Sequence, residues 1–341
     1  MVKRPPNKGF SGEKLSKYVA GLFRERGKEA LEIARKVVMG ELEKLNCKEV
    51  REALKYFIND YWKETTRAAL ISITCEALGG EHHKTVHIAV PLILISGAID
   101  IHDDIIDRTE IKRTGLTVYG KFGGDIALLV GDALLFKGLS LFPQVLGHIE
   151  PEKLCTIVEV LKSSFFELGD AEAMETSLRR RKTTLAVDEY MEYVKKKAAE
   201  VEAYMRIAAI MADASTKEIE AIARYGRILG MLIIIGDDNS DTLNPRDLIN
   251  RVKHEVLPLP LIYALNKAKV RRKLIPILRR KKLTERDAKK ILDIVFAENI
   301  FDEIERDYIA KLIDEGLEAL KTISLDSTVL NDVIKSTYPK D

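Results

Sequence analysis

Several residue types that mark whole classes of protein are scarce in this chain of 341 residues. Only three cysteines occur, far apart and without a CxxC pair, so the sequence predicts neither a disulfide framework nor a cysteine-ligated zinc site. Basic and acidic residues nearly cancel, at 55 against 53, which leaves no basic excess for binding nucleic acid. Glutamine occurs once, while lysine, arginine and glutamate abound, a composition typical of proteins from hot environments.

Long apolar runs are also missing. The longest weakly polar run, Ala89 to Ile99, is shorter than the roughly 20 apolar residues that span a bilayer, so we expect no transmembrane segment. No apolar stretch follows the basic start MVKRPPNKGFSGEK, so we expect no signal peptide and a cytoplasmic location.

What the sequence has in abundance is helical periodicity. Apolar residues recur three and four apart with charged residues between them, as in KLSKYVAGLFRERGKEALEIARKVVMGELEKL. Strand patterns bounded by hairpin turns are hard to find, and no linker or repeat of fixed period divides the chain. We therefore predict an all-α fold, with residues 1–341 forming one large helical domain.

Two segments differ from the rest because they are apolar around most of the helix. They are Ala89 to Ile101 and Ile228 to Ile235, and such helices belong in the middle of a bundle. Each runs directly into a cluster of aspartates, HDDIID in the first case and GDDNSD in the second. Acidic residues at the end of a buried apolar helix call for a chemical explanation.

The spacing of these aspartates suits a divalent cation. Residues three and four apart share a face of a helix, where like charges repel unless a cation joins them. Mg²⁺ takes oxygen ligands and usually combines one or two carboxylates with phosphate oxygens of a substrate. A solvated helix end explains one such cluster equally well, but two clusters at the ends of two buried helices favour a metal site. The candidate ligands are Asp103, Asp104, Asp107, Asp237, Asp238 and Asp241.

The segment HDDIIDRTEIKRTGLTVYGKFGGDIALLVGDALL closely resembles the first aspartate-rich region of all-trans polyprenyl diphosphate synthases. YGRILGMLIIIGDDNSDT resembles their second region, and LPLPLIYAL resembles the segment that follows it. The resemblance runs from about Tyr61 to Leu265. It implies the isoprenoid synthase fold, a helical bundle around a deep cavity, and a homodimer. It also implies three Mg²⁺ ions that trigger ionisation of an allylic diphosphate, whose carbocation then alkylates isopentenyl diphosphate.

The resemblance assigns basic residues to the diphosphate groups. Lys112 and Arg113 occupy the paired basic positions after the first cluster. Lys197, in YVKKKAAEV, stands where the family places a lysine on the allylic diphosphate. Basic side chains suit this role because they neutralise phosphate charge without displacing the metal ions.

The isopentenyl diphosphate pocket departs from the family pattern. The GGKRxRP signature aligns with WKETTRA, in which Arg67 survives but the lysine position holds Glu64 and the neighbouring arginine is Thr65. The family's histidine seven residues before the first cluster is Ser96. A carboxylate at Glu64 would repel a diphosphate. We therefore expect an intact allylic site, with Arg67 as a further diphosphate contact, beside an eroded acceptor site.

Other departures fall on positions that the resemblance places around the cavity. Ile233 and Ile234 replace a phenylalanine–glutamine pair, and Asp170 replaces a glutamine. Asp100, one turn before Asp103, is read either as half of a salt bridge, as an extra contact near the metal, or as a carboxylate that steers a carbocation. Ala98 and Ile99 are not aromatic, which suggests room for a chain of C20 or longer.

Three functions remain open at this stage. The first is a Mg²⁺-dependent prenyltransferase that ionises an allylic prenyl diphosphate of C15 to C20 or longer, with an acceptor other than isopentenyl diphosphate as one version. The second is a class I terpene synthase, favoured by the retained ionisation residues and by Asp100. The third is a catalytically silent subunit of a heteromeric synthase, which would have no reason to keep both metal clusters.

Overall fold

The computed structural model describes residues 12–112, 115–145, 147–324 and 326–338, and this part of the chain is almost entirely helical. The prediction of an all-α protein is confirmed, whereas the single domain stays a prediction. One hairpin of two residues a side interrupts the helices, with β1 (Ile111–Lys112) antiparallel to β2 (Gly115–Leu116). The α-helices are α1 (Gly12–Leu42), α2 (Lys48–Lys55), α3 (Thr66–Ala77), α4 (Val86–Ile106), α5 (Val118–Phe122), α6 (Gly124–Val145), α7 (Pro151–Arg180), α8 (Val187–Lys197), α9 (Ala199–Met211), α10 (Thr216–Leu243), α11 (Pro245–His254), α12 (Leu259–Asn266), α13 (Ala268–Leu278), α14 (Glu285–Ala297), α15 (Ile300–Ile304), α16 (Ala310–Leu320) and α17 (Thr328–Ser336).

The two helices that end in aspartate clusters, α4 and α10, lie in the core. Nearly every side chain of α4 from Ile88 to Ala98 is buried, and α10 is buried over most of Ile228 to Ile235. Helix α4 packs against α1, α3 and α6, and α10 packs against α9 and α16. Both helices are apolar around their whole circumference, and only neighbours on several sides can remove that surface from water. This explains why they lie in the core.

Glycine allows α10 to approach α9 closely. A Cβ added at Gly230 would lie 2.8 Å from the Cβ of Ala198 and 3.1 Å from its carbonyl oxygen. One turn earlier, a Cβ at Gly226 would lie 3.0 Å from the Cα of Glu202. The two backbones therefore touch where α10 passes the residue that follows Lys197.

We expect Gly230→Ala to lower the free energy of unfolding by about 1–3 kcal/mol, because the added methyl overpacks the contact with Ala198. Gly236→Ala in the same helix is the matched control. No atom lies within 4 Å of a Cβ added there, so the better helix propensity of alanine should stabilise the protein by up to about 1 kcal/mol. Chemical denaturation of both variants measures the difference, and equal stability of the two would contradict the close approach.

Two helical stretches are long and apolar enough to cross a membrane, judged by length and composition alone. They are His82–Ile106 and Gly124–Val145, and the buried share of the apolar window is 72% in the first and 39% in the second. The core position of α4 accounts for the first, whereas α6 keeps a partly exposed apolar face. The absence of a transmembrane segment therefore stays a prediction.

Candidate active site

The C-terminal ends of α4 and α10 face each other across one cleft with a volume of about 550 Å³. The structure thus brings together two aspartate clusters that are far apart in sequence. Basic side chains from the loop after α4 and from α8 and α11 lie among them. The aspartates of the two clusters that line the cleft are Asp103, Asp107, Asp237, Asp238 and Asp241.

Asp104 points into the protein. Its side chain is only 3% exposed and forms an ion pair with Lys112, with 2.7 Å between Oδ1 and Nζ. Lys112 reaches it because the chain leaves α4 at Arg108, where φ is +54°, and returns through β1. Burial raises the pKa of Asp104 to about 7, although the positive charge of Lys112 opposes the shift. Asp104 therefore anchors this loop, a placement that does not favour the predicted metal-binding role.

Asp103 and Asp107 lie on the cleft side of α4, each beside a cation. Asp103 accepts a hydrogen bond from Lys197 at 3.2 Å, and the largely buried Asp107 accepts one from Arg179. Burial, followed by the negative charge of Asp103, raises the pKa of Asp107 above its usual range. Among the described residues that line the whole cleft, carboxylates outnumber cationic side chains.

The second cluster also contains one buried aspartate and two that lie nearer the surface of the cleft. Asp238 is fully buried and accepts hydrogen bonds from the Tyr190 hydroxyl, from Arg251 and, at 2.8 Å, from the backbone N–H of Leu259. It therefore ties α10 to α8, α11 and the start of α12, and this placement does not favour a metal-binding role for Asp238. Asp241 forms an ion pair with Arg251 at 3.2 Å, and Asp237 lines both the cleft and the cavity beside it.

Lys197 lies at the junction of the cleft and the cavity. Its Nζ is 3.2 Å from Asp103, 3.1 Å from Glu172 and 3.2 Å from Glu175. Burial would lower the pKa of Lys197, but these carboxylates and Tyr193 together raise it well above its usual value. Burial would likewise raise the pKa of Glu175, but Lys197, the Tyr193 hydroxyl and Arg179 hold it at about 2. Lys197 is thus held in its charged form.

An apolar cavity of about 680 Å³ adjoins the cleft. The two spaces share the side chains of Glu64, Asp103, Lys197, Ile234 and Asp237. The cavity extends between α3, α4, α7, α9 and α10 toward α1 and α17. Among its apolar lining residues are Leu70, Ile99, Phe165, Leu168, Val201, Leu229, Ile233, Ile234 and Val333.

Three of the predicted cavity residues do not line this space. Ala98 is fully buried in the core next to Ile99, and Ser96 is buried behind the wall, where it contacts Tyr204. Asp170 is exposed on α7 and pairs with Lys196 at 2.5 Å. These placements do not favour the predicted cavity roles, which depend on how each helix is rotated about its axis, and the packing of neighbouring helices decides that rotation. Ile99, Ile233, Ile234 and Asp100 do line the cavity.

Arg67 forms a closed ionic network in the corner of the cavity next to α3. It donates two hydrogen bonds to Asp100, at 2.9 and 3.2 Å, and two to Glu200, at 3.1 and 3.2 Å. Glu200 also accepts a hydrogen bond at 2.8 Å from Tyr204, whose hydroxyl contacts Ser96. Of the alternatives for Asp100, the salt bridge is present. The predicted role of Arg67 as a diphosphate contact is not favoured, because two carboxylates already occupy its guanidinium.

The family model for polyprenyl synthetase matches residues 47–295, which is most of the chain and includes both clusters. The chain belongs to the polyprenyl synthetase family. Geranylgeranyl diphosphate synthase of Methanosarcina mazei is 29% identical over 206 residues, covering 60% of this chain and 62% of that protein. A short chain isoprenyl diphosphate synthase of Methanothermobacter thermautotrophicus is 30% identical over 220 residues, covering 62% of this chain and 66% of that protein. The match thus spans less than two thirds of either relative.

Solved structures of this family share the fold over nearly the whole chain. Geranylgeranyl pyrophosphate synthetase from Pyrococcus horikoshii superimposes with a TM-score of 0.76 at 23% identity, covering 95% of this chain and 100% of that one. The corresponding protein from Geoglobus acetivorans gives a TM-score of 0.75 at 21% identity, covering 91% and 97%. The predicted isoprenoid synthase fold is confirmed.

Sequence reasoning about this polyprenyl synthetase family member missed the residues that balance the aspartates. Glu175 and Arg179 are four apart on α7, and Tyr190 and Tyr193 share a face of α8 with Lys197, so helical spacing carried a signal. Arg251 and Glu200 also have partners four residues away, Glu255 and Tyr204. Their contacts with Asp238 and Arg67 on other helices carried no such signal. Arg113, a predicted diphosphate contact, lies outside the described residues.

Proposed function

We propose that this protein catalyses the Mg²⁺-dependent ionisation of an all-trans allylic prenyl diphosphate and transfers the prenyl group to an acceptor. One observation carries the proposal. Two aspartate clusters face each other across a cleft that opens into a cavity with apolar walls, which matches a substrate with an anionic head and a hydrocarbon tail. Membership of the polyprenyl synthetase family supports the same reaction.

The donor set fits magnesium. We propose that the carboxylates that hold Mg²⁺ are Asp103 on α4, Asp107 directly after α4, and Asp237 and Asp241 on α10. Three ions would be held with substrate bound. Among the described residues, no three acidic, histidine or cysteine side chains already surround one point. That does not conflict with the proposal, because Mg²⁺ usually takes one or two carboxylates and completes its shell with water and phosphate oxygens. The bound ions would neutralise negative charge on the departing diphosphate.

The chain's own cations would orient the diphosphate. Lys197 lies at the mouth of the cavity, where the first carbon of the tail would meet the head group, and Lys112 lies on the cleft wall. A diphosphate there would compete with the carboxylates of Asp103 and Asp104 for these two ammonium groups. The tail would lie among the apolar side chains of α4, α7 and α10. No phenylalanine, tyrosine or tryptophan of α4 lines this part of the cavity, which supports a tail of C15 to C20 or longer.

We also propose a homodimer in the cytoplasm. Large apolar side chains on α6 are exposed at helical spacing, Phe136 to 72%, and Phe166 on α7 is 77% exposed. A contiguous apolar patch on a protein surface typically marks an interface. The exposed residues of α6 are Leu128, Leu129, Phe136 and Leu139.

A class I terpene synthase is the second candidate function. The observation that favours it is the pairing of Arg67 with Asp100 and Glu200, which engages the guanidinium that the resemblance assigns to the diphosphate of an acceptor. Such an enzyme would use the same ionisation site and let the cation react within its own chain. The products separate the two functions.

Incubation of the purified protein with Mg²⁺ and geranylgeranyl diphosphate, with and without isopentenyl diphosphate, tests the proposal. We expect diphosphate release that depends on both protein and Mg²⁺, with chelation by EDTA as the control. Mass spectrometry identifies the products, and a new hydrocarbon or alcohol made from the single substrate would favour the terpene synthase. Absence of diphosphate release from every allylic chain length tried would contradict both functions.

A further inference from the structure

The corner of the cavity next to α3 is acidic. Its charged lining residues are Glu64, Arg67, Asp100 and Glu200, three carboxylates and one guanidinium. Beyond this corner the cavity is lined by apolar side chains together with Asp103, Glu172, Lys197 and Asp237, so carboxylates also outnumber the cationic group there. An anionic ligand entering this corner would meet net repulsion.

The guanidinium of Arg67 does not offset this repulsion, because most of its N–H donors already bond to carboxylates. Arg67 has five N–H donors, and four hydrogen bonds from it go to Asp100 and Glu200. The Tyr204 hydroxyl holds Glu200 from the other side. A diphosphate could form a bidentate pair with Arg67 only by displacing Asp100 or Glu200, which would leave that carboxylate without its cation in the cavity wall.

Glu64 is the acidic side chain of this corner that also lines the cleft. Its carboxylate accepts a hydrogen bond from the backbone N–H of Thr66, at the first residue of α3. It therefore stands at the start of a helix, where the partial positive charge of the backbone favours a carboxylate. Glu64 faces the point where the allylic diphosphate and its tail would meet.

We propose that this corner binds the reacting end of a phosphate-free acceptor, a hydroxyl or an amine that donates hydrogen bonds to Glu64 and Asp100. This inference rests on the proposed prenyl transfer. In the reaction, the allylic C–O bond breaks and its electron pair leaves with the diphosphate. A lone pair of the acceptor oxygen or nitrogen forms the new bond to carbon, and the acceptor's proton passes to the carboxylate of Glu64. The product is a prenyl ether or a prenyl amine.

Three probes with one carbon skeleton test the head-group preference directly. They are isopentenyl diphosphate, 3-methylbut-3-en-1-ol and 3-methylbut-3-en-1-amine, titrated into the whole protein by calorimetry or ligand-observed NMR. We expect the amine and the alcohol to bind in the corner. We expect Glu64→Gln to weaken binding of the amine several-fold. Failure of both the amine and the alcohol to bind, or amine binding unaffected by Glu64→Gln, would overturn the proposal.

The double variant Asp100→Asn with Glu200→Gln tests the role of the network. It frees Arg67, so affinity for isopentenyl diphosphate should rise about tenfold or more while affinity for the amine falls. Asp170→Asn, which removes an exposed carboxylate outside the cavity, is the control for net charge. If the double variant does not fold, Glu64→Gln alone decides. These titrations need no turnover, so a failure of the proposed ionisation, seen as absent diphosphate release, is distinguishable from a failure of this inference.

Addition of the three probes to protein with Mg²⁺ and geranylgeranyl diphosphate tests the transfer step. We expect mass spectrometry to find the prenyl ether or the prenyl amine. Chain elongation by isopentenyl diphosphate in the wild-type protein would overturn the proposal.

Discussion

Replacing Asp103 by alanine is expected to abolish diphosphate release from an allylic prenyl diphosphate. Asp103 lines both the cleft and the cavity and contacts Lys197, so its carboxylate lies where the head group and the proposed Mg²⁺ ions would meet. Metal stabilisation of a departing oxyanion contributes several kcal/mol, which corresponds to a loss on the order of a thousandfold in turnover. A coupled assay for released diphosphate at saturating Mg²⁺ measures it.

Asp170→Ala is the matched control for this prediction, because Asp170 is an exposed aspartate that pairs with Lys196 outside the cleft. It should keep wild-type turnover. Asp237→Ala should match Asp103→Ala, because Asp237 lines the same two spaces from α10. Wild-type turnover from either cluster variant, with its fold checked by circular dichroism, would exclude the metal assignment for that cluster.

Replacing Lys197 by methionine is expected to lower kcat/KM by roughly a hundredfold or more, the typical cost of removing one donor to a developing negative charge. Methionine keeps the length of the side chain and removes its charge. Lys197 is the ammonium group shared by the cleft and the cavity, and three carboxylates hold it there. Initial rates over a range of allylic diphosphate concentrations give the loss.

Lys196→Met is the control for this variant, because the neighbouring lysine pairs with Asp170 outside the cleft. It should change kcat/KM less than twofold. The three carboxylates left without Lys197 lower stability as well, so thermal unfolding of both variants is measured first. A folded Lys197→Met protein with wild-type kinetics would show that this lysine does not contact the diphosphate.

The helix ends that carry the aspartates could be predicted from sequence because the signal is local. An apolar run ending in carboxylates four apart places Asp103 with Asp107, and Asp237 with Asp241, before any tertiary contact is known. Which carboxylates are buried could not be predicted, since burial depends on partners outside their own helix. Asp104 turns to Lys112 and Asp238 turns to Arg251, and no spacing rule announces either pairing.

The rotation of each helix about its axis also could not be predicted from the sequence. Adjacent residues on a helix point about 100° apart, so Ile99 lines the cavity while Ala98 is buried in the core. For the same reason the sequence did not show that Asp170 lies on the exposed side of α7. The charge reversal at Glu64 was visible in the sequence, but the network of Arg67 with Asp100 and Glu200 required the packing of α3, α4 and α9.

That network also limits how such a pocket can change over evolutionary time. Ser96, Arg67, Asp100, Glu200 and Tyr204 form one chain of contacts across three helices. Substituting a single member leaves the charge or hydroxyl of its neighbour without a hydrogen-bond partner, which is costly inside a protein. A single substitution in this network is therefore expected to be selected against. We therefore expect the five residues of this network to be either all present or all replaced in any close relative.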